Sequence, residues 1–332
     1  MIGRYGSLGS VHWVEEPFWP LNTTLWVKDF KGNDPRYISY LLGTIDTDSG
    51  AAAAVPGVNR NHLHRLVVRV PSVAQQRKIS ALLGAFDDLI ALSELRIDIL
   101  DSLAKAAYAN LIPASLVEIS APRRSLPSRW QWKTLGEIAG INCETISRRE
   151  LPGTLQYLDI AALASRRLGE PRSVTAAEAP GRARRLARDG DTLWSMVRPN
   201  RRAHALIHEP PHDLVVSTGI AVITPRLVPS AFVFEYASTR QFSDYLAGRA
   251  TGAAYPAVKR ADFASAPVAI PPEELLQTFA ATVDSMHRAN STLTSKNRVL
   301  KRVRGLLLPC LLTGKLNTSD VDLGVLTPAQ AA

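Results

Sequence analysis

Cysteine is nearly absent. The two present, Cys143 and Cys310, lie far apart and neither belongs to a CxxC pair. That excludes a disulfide framework and a cysteine-built zinc site, and it suits a reducing compartment. Long apolar runs are missing as well. The longest near the end, residues 305–312, is interrupted by Pro309 and falls short of the roughly 20 residues a spanning helix needs. The opening residues MIGRYGSLGSVHW lack the apolar core of a signal peptide, so the expected setting is soluble and cytoplasmic. Catalytic signatures are also wanting. There is no GxxxxGK followed by Ser or Thr, no GxGxxG, no GxSxG and no HExxH. The Asn/Asp-Pro-Pro-aromatic run of adenine methyltransferases is missing, and the nearest Pro-Pro stretch, His208-Glu209-Pro210-Pro211-His212, has no aromatic. Its prolines keep the two histidines off a helix face, so a loop turn is a simpler reading than a metal site. Asp87 and Asp88, adjacent on a helix, point apart and read as a solvated flank. These absences argue against an enzyme.

What is present is basic and repetitive. Lys and Arg number 39 against 30 Asp and Glu, a net charge of +9, which favours a polyanionic partner. With 46% hydrophobic residues the 332-residue chain can build real cores and suits two domains plus connecting elements. Residues 51–80 and 251–280 align without a gap at a constant offset of 200. Pro56 meets Pro256, Val58 meets Val258, Arg60 meets Arg260, Leu63 meets Phe263 and Pro71 meets Pro271. Such a repeat sets the architecture before any single residue is weighed. Upstream the match continues with small gaps: Arg4 answers Arg198, Leu25 answers Ile220 and Pro35 answers Pro229. Nothing in the first copy answers residues 126–193, which makes it a partial copy of the second.

Each copy passes from turns and short strands to a long helix. Strands are expected at 24–27, 66–70, 155–160, 191–196 and 215–223, with short helices at 35–42 and near 231–246. From Pro71 the period changes: Ile79, Leu83, Phe86, Ile90, Ser93, Ile97, Leu100, Ala104, Ala107 and Leu111 alternate steps of four and three. Phe279, Val283, Met286, Asn290, Leu293, Asn297, Leu300, Arg304, Leu307 and Leu311 repeat that spacing. A sustained heptad seam marks a helix packed lengthwise on another, and Asn on the seam fixes register at a cost in stability. If the seam is turned by one residue, the two asparagines face water instead.

Several phrases in order carry a resemblance: PSVAQQRKI at 71–79, SRWQWKTLGEI at 128–138, GDTLW at 190–194, the segment 251–271 and LTGKL at 312–316. Together they resemble the specificity (S) subunit of type I restriction-modification systems. The resemblance implies an α+β fold, a tandem repeat of a β-rich target-recognition domain plus a long helix, the two helices forming an antiparallel coiled coil. It places a partial first target-recognition domain at 1–70 and a first spacer helix at 71–114. A linker follows at 115–125, then a second target-recognition domain at 126–270, a second spacer helix at 271–316 and a disordered tail at 317–332. Each recognition domain would read half of a split DNA sequence, and the helices would set the gap. The implied partners are double-stranded DNA, methyltransferase (modification) subunits docked on the spacer helices, and restriction/translocase subunits. The chain itself would be non-catalytic and bind no cofactor; its partner subunits would use S-adenosylmethionine, ATP and magnesium. The first domain, about 70 residues against about 145, departs from the family pattern. A misplaced start, a truncated remnant and a half-subunit that pairs with another chain all stay open.

Arginine suits both phosphate anchoring and bidentate reading of guanine, and asparagine suits adenine. Phosphate contacts are therefore expected from Arg184, Arg185 and Arg188, and base reading from Arg198, Asn200 and Arg202, with Arg201 in the same patch. Tyr255, Lys259 and Arg260 flank a glycine turn; Tyr255 reads equally well as a DNA contact or as part of a turn feeding a strand. In the first copy, Arg4, Tyr5, Asn59 and Arg60 inherit the same reading. Trp26, Trp130, Trp132 and Trp194 are expected in cores. The competing function is a non-specific DNA-binding or structural coiled-coil scaffold without sequence recognition, its charge serving solubility.

Overall fold

The computed structural model describes residues 1–5, 7–45, 57–113, 116 and 125–316. Pro56, the tail 317–332 and most of the linker 115–125 lie outside the described residues. The chain divides into two units, Met1–Leu95 with Thr294–Ala332, and Arg96–Leu293.

In the first unit β1 (Ile2–Gly3) pairs antiparallel with β2 (Thr24–Leu25), followed by α1 (Pro35–Gly43) and α2 (Arg60–Leu63). The long helix α3 (Val73–Leu111) begins here. Asp34 caps α1, accepting from the Tyr37 N–H at 2.8 Å, and Pro35 occupies the first turn, where its missing N–H costs nothing. Gln76 explains its own place in the PSVAQQRKI phrase. Its side chain is buried, donates to Asn33 Oδ1 at 3.0 Å and Pro71 O at 2.8 Å, and accepts from the Asp34 N–H at 2.8 Å. Tyr37, Tyr40, Ile79, Leu83 and Leu311 form the core under α1.

The second unit holds the rest of α3 and a larger β-rich body. Here β3 (Gln131–Thr134) pairs with β14 (Pro267–Ile270), and the one-turn helix α4 (Leu135–Ile138) leads into β4 (Ala139–Ile141). The strands β5 (Thr154–Leu158), β6 (Leu163–Ala164), β7 (Arg167–Leu168), β8 (Arg172–Thr175) and β9 (Ala183–Leu186) follow, then β10 (Thr192–Ser195), β11 (His204–Leu206), β12 (Leu214–Ser217) and β13 (Ile220–Pro225). One four-stranded sheet has the order β11-β10-β13-β4 and the other β8-β5-β12-β9, with only β5 and β12 parallel. Helices α5 (Ser230–Ala237), α6 (Arg240–Ala247) and α7 (Arg260–Ala264) precede the second long helix, α8 (Glu273–Leu312). The core joins α5, α6, Trp194 and Phe263 to Ala104 and Tyr108 of α3 and to Leu276, Phe279 and Val283 of α8.

The expected seam faces inward: none of its twenty positions is exposed. The pairing is antiparallel in each unit. In the first, Arg304 meets Asp87 at 2.6 Å and Lys301 meets Glu94 at 2.7 Å; in the second, Asn290 donates to Asp101 at 2.8 Å and Tyr108 packs on Phe279. Both seam asparagines turn toward the partner helix, Asn297 donating to the Ile90 carbonyl at 3.5 Å. The α+β fold with paired long helices is thus as expected.

Four local expectations change. The apolar run 215–223 is two strands in different sheets, broken at Thr218-Gly219, where a Cβ on Gly219 would collide with the Ile160 side chain. The helix near 231–246 is two, because the Thr239 hydroxyl accepts from the Phe242 N–H and starts a new one. Trp26 is 49% exposed rather than in a core. Residues 66–70, expected as a strand, pair with no strand among the described residues, although their counterpart β14 does.

Candidate nucleic-acid interface

The repeat reappears in three dimensions. α2 and α7 sit at the same offset of 200, with Asn59 and Lys259 at their N-caps, and the Val58 and Val258 amides each bond back to the upstream segment, at Arg4 O (3.0 Å) and Met196 O (2.9 Å). In the second copy these bonds draw together two loops. The Arg198 amide donates to Pro256 O at 2.7 Å, and Val197 and Ala257 form a β-bridge.

Between them the chain makes a tight platform. Pro199–Arg201 is one 3-10 turn with Pro199 buried, flanked by Arg198 at φ 52° and Arg202 at φ 53°. A left-handed conformation costs a non-glycine residue on the order of 1–2 kcal/mol, so two of them in five residues mark a shape the surroundings enforce. The Ser243 hydroxyl holds Pro199 O at 3.0 Å, and Arg202 Nη2 holds Ser238 O at 2.6 Å. Asn200 and Arg201 are left facing solvent. Arg198 lies 4.5 Å over the ring of Tyr255, itself 69% exposed, and donates to Ala254 O at 3.3 Å. Gly252, at φ 105°, allows that second loop to turn. Lys259 and Arg260 are exposed at the start of α7, where Asp262 accepts from the Lys259 N–H at 2.6 Å.

The structure sorts the remaining candidates. Arg185 points inward, to Met196 Sδ and the carbonyl of Ile220, and burial lowers its pKa. Arg202 is likewise spent on the Ser238 carbonyl. Both were expected to touch DNA; in this structure both are half-buried and their guanidinium groups are engaged by protein acceptors. Arg188 stays exposed but is paired with Glu144 at 2.6 Å, and Arg184 bonds its neighbour's carbonyl, Ala183 O, at 2.9 Å. In the first unit Arg4 lies 5.1 Å over the ring of Tyr5, Asn59 Oδ1 accepts from the Asn61 N–H at 2.9 Å as a helix cap, and Arg60 is exposed.

Sequence reasoning missed a buried ionic cluster in the second unit. Arg166, at φ 59° with a side chain 4% exposed, forks onto Glu235 at 2.7 and 3.0 Å and stacks over Phe234. His287 of α8 reaches Glu235 at 2.8 Å. Arg167 bonds Asp98 and Asp101 of α3, each at 2.6 Å. Burial alone would raise the Glu235 pKa, but the His287 hydrogen bond and the Arg166 charge outweigh it and hold the carboxyl below its usual range. The cluster fastens the hairpin β6-β7 and α5 to both long helices. Asn290 on the seam was its one sequence signal.

A β-rich body presenting a rigid, cationic, aromatic-backed loop and carried on paired helices defines a binding module. Among the described residues no group of three or more His, Cys, Asp or Glu could hold a metal, and no helix is long and apolar enough to cross a membrane. No family model matches the chain. It is 22% identical over 309 residues to the type I restriction enzyme MjaIX specificity subunit of Methanocaldococcus jannaschii, covering 86% of this chain and 70% of that one. The putative type I restriction enzyme MjaX specificity subunit of the same organism is 22% identical over 302 residues, covering 85% and 68%. The S subunit of a type I restriction-modification system from M. genitalium shares the fold, with a TM-score of 0.57 at 17% identity over 93% of this chain and 81% of that one. The resemblance to type I specificity subunits expected from the sequence is borne out.

Proposed function

We propose that this chain is the sequence-specific DNA-recognition subunit of a type I restriction-modification complex, itself without chemistry, directing methylation and restriction by partner subunits. The observation that carries this reading is the platform 198–202, a backbone pinned at both ends that offers Asn200 and Arg201 to a groove while Arg198 rests on Tyr255. Preorganised side chains read base edges without a fresh entropic cost, and exposed cations nearby anchor phosphates. Arg201, Lys259 and Arg260 suit the anchoring role, and Asn200 and Arg198 the reading role. Arg184 and Arg188 flank the patch, and Arg4, Tyr5 and Arg60 form its lesser counterpart.

The helices offer a place for partners. Leu89 and Leu92 of α3 and Val299, Val303 and Leu306 of α8 are exposed in the first unit. Each set lies about a third of a turn to the same side of its seam, so in an antiparallel pair both fall on one face. An exposed aliphatic face this long suits a protein partner, and the methyltransferase subunit is the one proposed here, with restriction/translocase subunits joining the assembly. S-adenosylmethionine, ATP and magnesium belong to those partners.

Fluorescence anisotropy on duplex DNA across a salt series tests the reading. Arg260→Ala should weaken all sequences alike and reduce the log–log salt slope by about 1. Asn200→Ala should cost about 1–3 kcal/mol on the preferred site and relax selectivity at one base pair. Binding that ignores sequence in the native chain and is unchanged by Asn200→Ala would favour the scaffold.

A further inference from the structure

In the second unit the break between β12 and β13 leaves a corner whose shape its own backbone fixes. The buried Ser217 hydroxyl accepts from the Gly219 N–H at 3.2 Å, and the Thr218 N–H donates to Arg182 O at 2.8 Å. Gly219 packs so closely on Ile160 that a side chain there has no room. Thr218 is thereby held out at the tip, exposed, and its hydroxyl bonds nothing among the described residues. Arg182 beside it is exposed as well, with no ion pair or side-chain hydrogen bond among the described residues.

The corner is joined edge to edge with the platform. The Met196 N–H donates to Gly219 O at 2.8 Å, the Val258 N–H to Met196 O at 2.9 Å, and the Arg198 N–H to Pro256 O at 2.7 Å. Three loops, 217–219, 196–202 and 251–258, therefore lie side by side, each stitched to the next by main-chain bonds. The segments that build and flank them, 180–188, 192–208, 214–234 and 245–261, contain no Asp or Glu. Asp159, next to Ile160, is taken up by Arg172 at 3.2 Å and by the Ala161 N–H at 2.9 Å. Loops without carboxylates, carrying bare cations and an unpaired hydroxyl, suit a polyanion.

We infer that Thr218 is a further base-reading residue and Arg182 a further phosphate anchor, which lengthens the platform's footprint on DNA and rests on the recognition function proposed above. A threonine offers a hydroxyl to a base edge and a methyl that packs on the thymine methyl, so an A·T pair is its expected target. The hydrogen-bonded corner holds that side chain in place before DNA arrives, as the platform holds Asn200. Across the main-chain bond and the turn, Thr218 and Asn200 stand roughly 10–15 Å apart. Bases succeed one another at about 3.4 Å, so the two residues read positions about three or four base pairs apart.

Selection of duplexes from a randomised pool by the full chain, followed by sequencing, is the test. The native chain should enrich one sequence, and Asn200→Ala and Thr218→Ala should relax it at two different positions, about three or four base pairs apart. At its own position Thr218→Ala should cut discrimination about fivefold or more, and Thr218→Arg should move the preference there toward guanine. Arg182→Ala should weaken all duplexes alike and lower the log–log salt slope by about 1. Thr218 is exposed and its hydroxyl unbonded, so its substitutions leave folding intact, which thermal melting checks. Relaxation spread evenly over every position would mark a loosened corner and overturn the inference. So would an unchanged preference in both Thr218 variants, or an unchanged salt slope in Arg182→Ala, while Asn200→Ala still relaxes one base pair; the recognition function would then stand without it. No enrichment by the native chain would overturn that function, and the inference with it.

Discussion

Glu235→Ala should destabilise the second unit by about 3–5 kcal/mol, the range for removing one partner of a buried ion pair. The substitution leaves the Arg166 guanidinium, 4% exposed, without the carboxylate that takes both its terminal nitrogens. Asp101 offsets the charge only in part: its oxygen lies 3.3 Å from Arg166 Nε without hydrogen-bond geometry and already serves Asn290. His287 loses its acceptor as well. The cost is the uncompensated charge rather than the worth of the pair, so Arg166→Met with Glu235→Leu should recover most of the stability. Urea unfolding of the single and double variants separates the two; a loss below about 1 kcal/mol for Glu235→Ala would show that water reaches Arg166. The lowered Glu235 pKa also sets a sign. Its stabilising effect is fully present above the ordinary carboxylate range and is lost only as pH falls through the depressed folded value.

A second large effect comes from His204, which is completely buried just after the 198–202 platform, stacked on Trp194 at 5.8 Å between ring centres. Its Nδ1 lies 2.7 Å from Arg202 O, and a carbonyl can only accept, so Nδ1 carries the proton and the buried Nε2 is left bare. Burial pushes the pKa down to about 4, against the Arg202 carbonyl, which raises it; Arg166 and Arg202 lower it further and Glu235 opposes them. The unfolded chain takes a proton near pH 6.5 and the folded one does not, so stability falls as pH drops through the interval between them. From pH 6.5 to 5 the loss is about 1.5 kcal/mol. His204→Phe keeps the stack and should flatten that slope in urea titrations at the two pH values. His208, also lowered by burial, leaves a smaller residue of the same sign. An unchanged slope would mean that the imidazole is protonated in the folded state.

The long helices were legible because a seam of steps of four and three over ten positions has only one way to face inward. Even the polar members obeyed it, Asn290 and Asn297 turning to the partner helix and Arg304 to Asp87. The repeat was legible for the same reason: Val58 and Val258, Asn59 and Lys259 do the same backbone work 200 residues apart. Direction within the basic run was not. A string of arginines reports charge, but whether Arg185 points to solvent or to the Ile220 carbonyl depends on where β12 and β13 part, and an unbroken apolar run hides that point. The Arg166–Glu235–His287 cluster draws on a hairpin, a short helix and a long helix far apart in sequence, with no period to reveal it. Residues 66–70 carry a strand pattern, yet a strand needs a partner, and composition cannot supply one.

The most direct test of the central claim is to co-express the chain with its methyltransferase subunit and map methylated adenines across the host genome. A recognition subunit predicts modification confined to one defined sequence, with selectivity relaxed at a base pair by Asn200→Ala. Modification without sequence preference, or none above background while the two proteins copurify, would contradict it.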